Sequence, residues 1–183
     1  MKALLLLVVC ASAGALAQTK LPDGGETRWE SSVGKFSIVP PKGFPQMEPV
    51  EQTGKTNNDI LRFSYFDPML GIAKGFIQVY ENPKGISLDA WCIAEQIGWL
   101  KTPGYRENTY KKVKFLDGEA QLHVFRFNDL DASGHAKDFF VMKSIRLMHK
   151  GRGFWLVFYC TPGLWEKFVP RFDRAMESIK WLD

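Results

Sequence analysis

From Lys35 onward, hydrophobic and polar positions alternate in short runs. Phe36 and Ile38 flank a polar residue and Pro40-Pro41 follows, which predicts a short strand. Residues 42–59 lack a period and read as a long loop of the kind that carries contacts. Strands are predicted over 60–66 and 74–80, joined through the turn signals Asp67-Pro68 and Gly71. Ser87 then reads as a helix N-cap. Ile86 and Trp91 stand at hydrophobic-staple spacing and Asp89 lies in the first turn, so the helix runs to about Lys101 and stops before Pro103-Gly104.

Four further strands follow. Residues 109–116 and 119–127 meet at Asp117-Gly118, a two-residue hairpin signal, and residues 138–149 and 153–160 meet around Gly151-Arg152-Gly153. The last of these, Phe154 to Cys160, is apolar on both faces and needs a layer on each side. Lys111, Lys112 and Lys114 give 109–116 the character of an edge strand guarded by charge. Trp165, Phe168, Val169, Phe172, Met176 and Ile179 recur at helical spacing, and Pro170 predicts a short helix, a kink and a longer helix. Hairpins demand antiparallel pairing, and double-sided burial demands helices above and below. The expected fold is α+β, with a single antiparallel β-sheet sandwiched between helices (α/β/α).

The first segment is of another kind. Lys2, the apolar run Ala3 to Val9 and the small-residue end Ala15-Leu16-Ala17 match a secretory signal peptide over residues 1–17. Residues 18–34 are polar and rich in Gly and Ser, and read as a flexible arm. Residues 35–183 then form one domain, in keeping with a chain of 183 residues. The mature part holds no run long enough to span a membrane. The expected destination is outside the cytoplasm, periplasmic or secreted.

Composition narrows the function classes. The formal charge is only +4, mixed in sign along the chain, which argues against nucleic acid as a partner. In an oxidising compartment Cys92 and Cys160 fit two readings, a disulfide or two buried thiols. A bridge would stabilise the domain by about 4 kcal/mol in the chain-entropy account.

Two stretches resemble a known family. Lys35-Phe36-Ser37-Ile38-Val39-Pro40 with Gly43-Phe44 resembles the opening strand and turn of PsbP-like domains. The stretch from Gly153 to Trp181, with its apolar strand, small-Pro turn, aromatic-rich helix and Ser178-Ile179, resembles their closing pattern. That superfamily also takes in the DcrB and LpqN families. The resemblance spans roughly residues 35–182. It implies the PsbP-like α/β/α fold and an exported accessory or binding domain, and it transfers no catalytic residues.

Candidate chemistry is sparse. Asp129-Leu130-Asp131-Ala132-Ser133-Gly134 begins as a calcium loop begins, with Asp129, Asp131 and Ser133 as ligands, but Phe140 stands where a bidentate Glu belongs. Turn-forming preference explains the same residues. His123, His135 and His149 lack zinc-site spacing, and His123 reads as a core residue. There is no G-x-S-x-G, G-x-G-x-x-G or Walker A sequence. Lys111, Lys112 and Lys114 are candidates for contact with an anionic surface. Tyr65, Tyr80, Trp99 and Tyr105 suit either a ligand cleft or the core.

The leading expectation is a monomeric, non-enzymatic binding domain without a cofactor, contacting a protein partner or an anionic surface. Loops 42–59 and 128–138 would be its contact elements. The alternatives are a calcium- or small-molecule-binding module using loop 128–138, and a small hydrolase.

Overall fold

The computed structural model describes residues 28–44, 46–49, 57–82, 84–131 and 133–182. The signal-peptide segment 1–17, residues 18–27 of the arm and residues 50–56 of the long loop lie outside the described residues. In chain order the elements are β1 (Trp29–Ser31), β2 (Phe36–Ile38), β3 (Gln46–Pro49), β4 (Asn57–Asp67), β5 (Gly71–Glu81), α1 (Leu88–Trp99) and β6 (Arg106–Phe115). There follow β7 (Gly118–Leu130), β8 (Ala136–His149), β9 (Arg152–Cys160), a 3₁₀ turn (Pro162–Leu164), α2 (Trp165–Glu177) and β10 (Lys180–Trp181).

Seven strands make the main sheet in the order β3-β4-β5-β9-β8-β7-β6, antiparallel throughout. The doubly apolar strand β9 sits at its centre. Phe154, Leu156, Phe158 and Cys160 point to one face and pack with Phe168, Phe172, Ala175 and Met176 of α2. Trp155, Val157 and Tyr159 point to the other, the face that α1 covers in part. The lysine-bearing strand β6 is an edge, as its charge pattern requires.

Several features depart from the expectations. The sheet is not single: β1, β2 and β10 form a second, three-stranded one. Residues 28–34 are therefore not part of a loose arm, because Trp29↔Ile38 pairing ties them to β2. Ser178 explains why the small sheet forms. Its Oγ accepts the Val39 N–H at 2.7 Å and donates to the Ala175 carbonyl at 2.6 Å, which fixes the end of α2 beside the end of β2. The two stretches that carry the family resemblance thus meet in space.

Helix α2 also runs unbroken through Pro170. The missing N–H falls on the exposed side of the helix, so the freed Glu166 carbonyl is open to solvent. The short helix expected before the proline is instead the 3₁₀ turn. Strand β3 occupies part of the 42–59 loop. Finally, the β6–β7 turn falls on Leu116-Asp117, since Phe115 pairs with Gly118 and Leu116 has φ 51°. At the β8–β9 turn Lys150 and Gly151 have φ 47° and 75°, the primed geometry that suits strand twist.

Candidate functional site

Helix α1 is capped as its sequence requires, with the Ala90 N–H bonding to Ser87 Oγ at 3.2 Å. It buries only Cys92 fully and leaves Ile93 and Ile97 55% and 51% exposed. Trp99 packs on Phe125 at 4.6 Å between ring centroids, and Trp91 packs on Tyr80 at 5.1 Å. Gly153 permits the second contact, because a Cβ there would lie 2.9 Å from the Trp91 ring. Polar bridges hold the rest: Glu95 to Arg146 at 3.4 Å, Gln96 to Glu107 at 2.8 Å and Asp89 to Lys112 at 3.0 Å.

Strand register places three rows of side chains across the face beneath α1. The first is Gln78, Trp155, Arg146, Gln121 and Lys112; the second is Arg62, Phe76, Val157, Ser144, His123 and Tyr110. The third is Ser64, Lys74, Tyr159, Met142 and Phe125. One helix cannot cover seven strands. Over β4, β5 and β9 the row ends stay open, with Phe76, Trp155 and Tyr159 half-buried and Arg62 and Lys74 exposed. Phe66 belongs to the same face of β4 and is 69% exposed. Beside it, Met69 is 92% exposed on the β4–β5 turn.

That turn is built rigidly. Asp67 Oδ1 accepts the Met69 and Leu70 N–H groups at 2.9 and 3.0 Å, and these bonds hold its carboxyl below the usual range. Thr161 Oγ1 donates to the Leu70 carbonyl, and the Thr161 N–H bonds to the Ile72 carbonyl at 3.0 Å.

Under α1 the same rows hold a buried polar group of residues. His123, Ser144 and Arg146 are 0% exposed. The Arg146 guanidinium lies 4.6 Å from the Trp155 ring centre and 5.9 Å from that of Trp91. Burial pulls its pKa down, opposed chiefly by Glu95. His123 Nε2 lies 3.0 Å from the Tyr105 hydroxyl, which donates to Glu107 Oε2 at 3.0 Å. Burial, then the Arg146 charge, pushes the His123 pKa to about 4, against the pull of Glu107. Burial first and the Glu107 carboxylate second push the Tyr105 hydroxyl well above its usual range.

The residues singled out from sequence are scattered by comparison. Lys112 and Lys114 share one face of β6 while Lys111 points to the other, so the three do not form one patch. Lys112 is also paired, to Asp89 at 3.0 Å and Glu119 at 3.4 Å, and the Asp89 bond raises its pKa. Asp129 lies within β7, two residues before the turn that Asp131 organises. Asp131 Oδ1 accepts the Ser133 and His135 N–H groups at 2.8 and 2.9 Å, so the carboxylate builds the turn. Among the described residues no three His, Cys, Asp or Glu side chains are grouped to hold a metal ion.

Cys92 and Cys160 are free and buried, Cys92 on α1 itself and Cys160 on the α2 side of the sheet. The sheet between them replaces the disulfide reading with two thiols. Burial raises the pKa of Cys92 to about 11 and of Cys160 to about 12. The hydrolase reading needs a histidine bonded to a serine or aspartate. His123 faces Ser144 across the strands but bonds to Tyr105, and His135 stays 3.9 Å from Asp131. Of the cleft aromatics, Tyr65 packs into the α2 side, while Tyr80, Trp99 and Tyr105 belong to the α1 side.

Arg146, Ser144 and Trp155 were not legible as a site. In sequence, polar residues at alternate positions of β8 read as a solvent face. The one local signal was an arginine and a serine facing the same way as a histidine and a tryptophan on neighbouring strands.

No family model matches the chain, and no curated protein matches it. Solved structures do. A protein of unknown function from Pseudomonas aeruginosa, PA94, is 12% identical with a TM-score of 0.54, covering 83% of this chain and 94% of its own. Cyanobacterial PsbP from Synechocystis sp. PCC 6803 is 10% identical with a TM-score of 0.54, covering 85% of this chain and 91% of its own. LpqN of Mycobacterium tuberculosis, involved in cell envelope biogenesis, is 9% identical with a TM-score of 0.47, covering 79% of this chain and 89% of its own. At such identities the likeness speaks for architecture. The chain has the PsbP-like fold, a large antiparallel sheet with two helices.

Proposed function

We propose that the chain is an exported, non-enzymatic binding domain that docks a protein partner on the open half of its α1 face. Export is supported by the charged, apolar and small-residue pattern of residues 1–17. The docking reading rests on one observation, the uncovered surface formed by Phe66, Met69, Phe76, Trp155, Tyr159 and Arg62. Aromatic residues, Met and Arg are the types enriched at protein interfaces. The rigid turn under Met69 means little order has to be gained on binding.

The test is site-specific photo-crosslinking in the envelope of the source cells. Probes at Phe76 and Met69 should trap one common species, and a probe at the exposed Glu177 of α2 should not. Met69→Asp should remove the Phe76 crosslink while leaving thermal unfolding unchanged. Equal crosslinking from all three positions, or none from the first two, would refute the proposal.

A further inference from the structure

Five buried side-chain atoms have no hydrogen-bond partner among the described residues: His123 Nδ1, Ser144 Oγ, Arg146 Nε, Arg146 Nη1 and Trp155 Nε1. They are not dispersed. His123 faces Ser144 across β7 and β8, Arg146 faces Trp155 across β8 and β9, and Ser144 and Arg146 are next neighbours on one face of β8. A buried polar atom without a partner costs free energy, and folded proteins rarely keep several together. Five on one patch of one face mark a place matched to something other than the chain.

Their chemistry defines what fits. The Tyr105 hydroxyl has a single proton and gives it to Glu107, so it accepts from His123 Nε2–H. His123 Nδ1 is then a bare acceptor. Arg146 Nε, Arg146 Nη1 and Trp155 Nε1 are donors, and the Ser144 hydroxyl serves as either. A guest must therefore present oxygen acceptors toward Arg146 and Trp155 and an O–H toward His123 and Ser144. It should carry one negative charge, because Glu95 already lies 3.4 Å from Arg146 and would repel a dianion. Access requires the polar bridges of α1 and its Trp91 and Trp99 contacts to part, while the main core on the α2 side stays intact.

We propose that this unmatched set binds a small hydroxycarboxylate, its carboxylate taken by Arg146 and Trp155 and its hydroxyl by Ser144 and His123. The site shares Trp155 with the docking surface but does not rest on docking, and its test needs no partner.

Purified chain is titrated separately with lactate, acetate and phosphate, followed by tryptophan fluorescence and melting temperature. Lactate should give a saturable change and a rise in Tm, acetate a weaker one, phosphate the least. Arg146→Met should weaken both carboxylates at least about tenfold, the scale of a lost charged hydrogen bond. Ser144→Ala removes only an unmatched hydroxyl and should fold normally. It should bring lactate affinity down to that of acetate and leave acetate unchanged, a ratio that a packing role would not move. Water alone on those groups would leave all three titrations flat and overturn the proposal. So would a response equal in Arg146→Met, or one strongest for phosphate.

Discussion

Replacing Arg146 with methionine should make the protein more stable, although it deletes the most buried charge among the described residues. The guanidinium is 0% exposed, and its only described polar partner is Glu95 Oε2 at 3.4 Å from Nη2. Two of its nitrogens have no partner. Each unmet buried donor costs about 1–3 kcal/mol. Stacking over Trp155 returns about 1–2 kcal/mol, part of which a methionine keeps through sulfur–aromatic contact. The balance favours the variant by about 2 kcal/mol, within the range seen when buried ions give way to apolar groups. For a chain of this size that is a rise in Tm of roughly 4–8 °C. Glu95→Ala should act in the opposite direction, because it strips the counter-charge and leaves the arginine buried. Glu95 is one-third exposed, so solvent screening trims that loss to about 1–2 kcal/mol. The assay is urea and thermal unfolding by circular dichroism in carboxylate-free buffer. An Arg146→Met protein less stable than the wild type, or a Glu95→Ala protein equal to it, would refute the bookkeeping.

His123 makes stability depend on pH. Its pKa is about 4 folded and 6.5 in the free state, so only the unfolded chain takes up a proton between those values. Stability should be complete above pH 6.5 and fall by up to about 3 kcal/mol as pH drops to 4; His123→Gln should flatten that slope in urea midpoints. The chain beginning at Gln18 should show no thiol reactive to Ellman's reagent when folded and two when denatured without reductant, whereas a disulfide would leave none. Asp131→Ala should cost about 1–2 kcal/mol through its lost turn bonds, to the same extent with calcium and with chelator. Calcium-dependent stabilisation that the variant abolishes would favour the metal reading.

Local chemistry announced itself in the sequence wherever one element sufficed. Ser87 caps α1, the lysines mark β6 as an edge, and the apolar stripe of α2 lies against the sheet. What needed two distant segments was hidden. β10 has two residues and exists only because Lys180 and Trp181 pair with Ser37 and Phe36. Leu116 takes φ 51°, a value that no propensity assigns to leucine, because strand register forces it. The candidate site was the least legible part. Whether Ser144 and Arg146 face water or a helix depends on where α1 lies, and their own strand carries no sign of that.

The position of β9 and α2 sets a time at which this fold can form. β9 is the central strand, bonded to β5 some eighty positions earlier, and α2 supplies Phe168, Phe172 and Met176 to the main core. β10 closes the small sheet against β2 from the opposite end of the domain. A nascent chain therefore lacks both its sheet centre and one core layer until residues 152–177 have been made. Pairings of such long sequence separation also form slowly. For the exported chain proposed above, which would be threaded through a translocation channel, both effects help. Such a chain would reach the channel before it had anything stable to unfold.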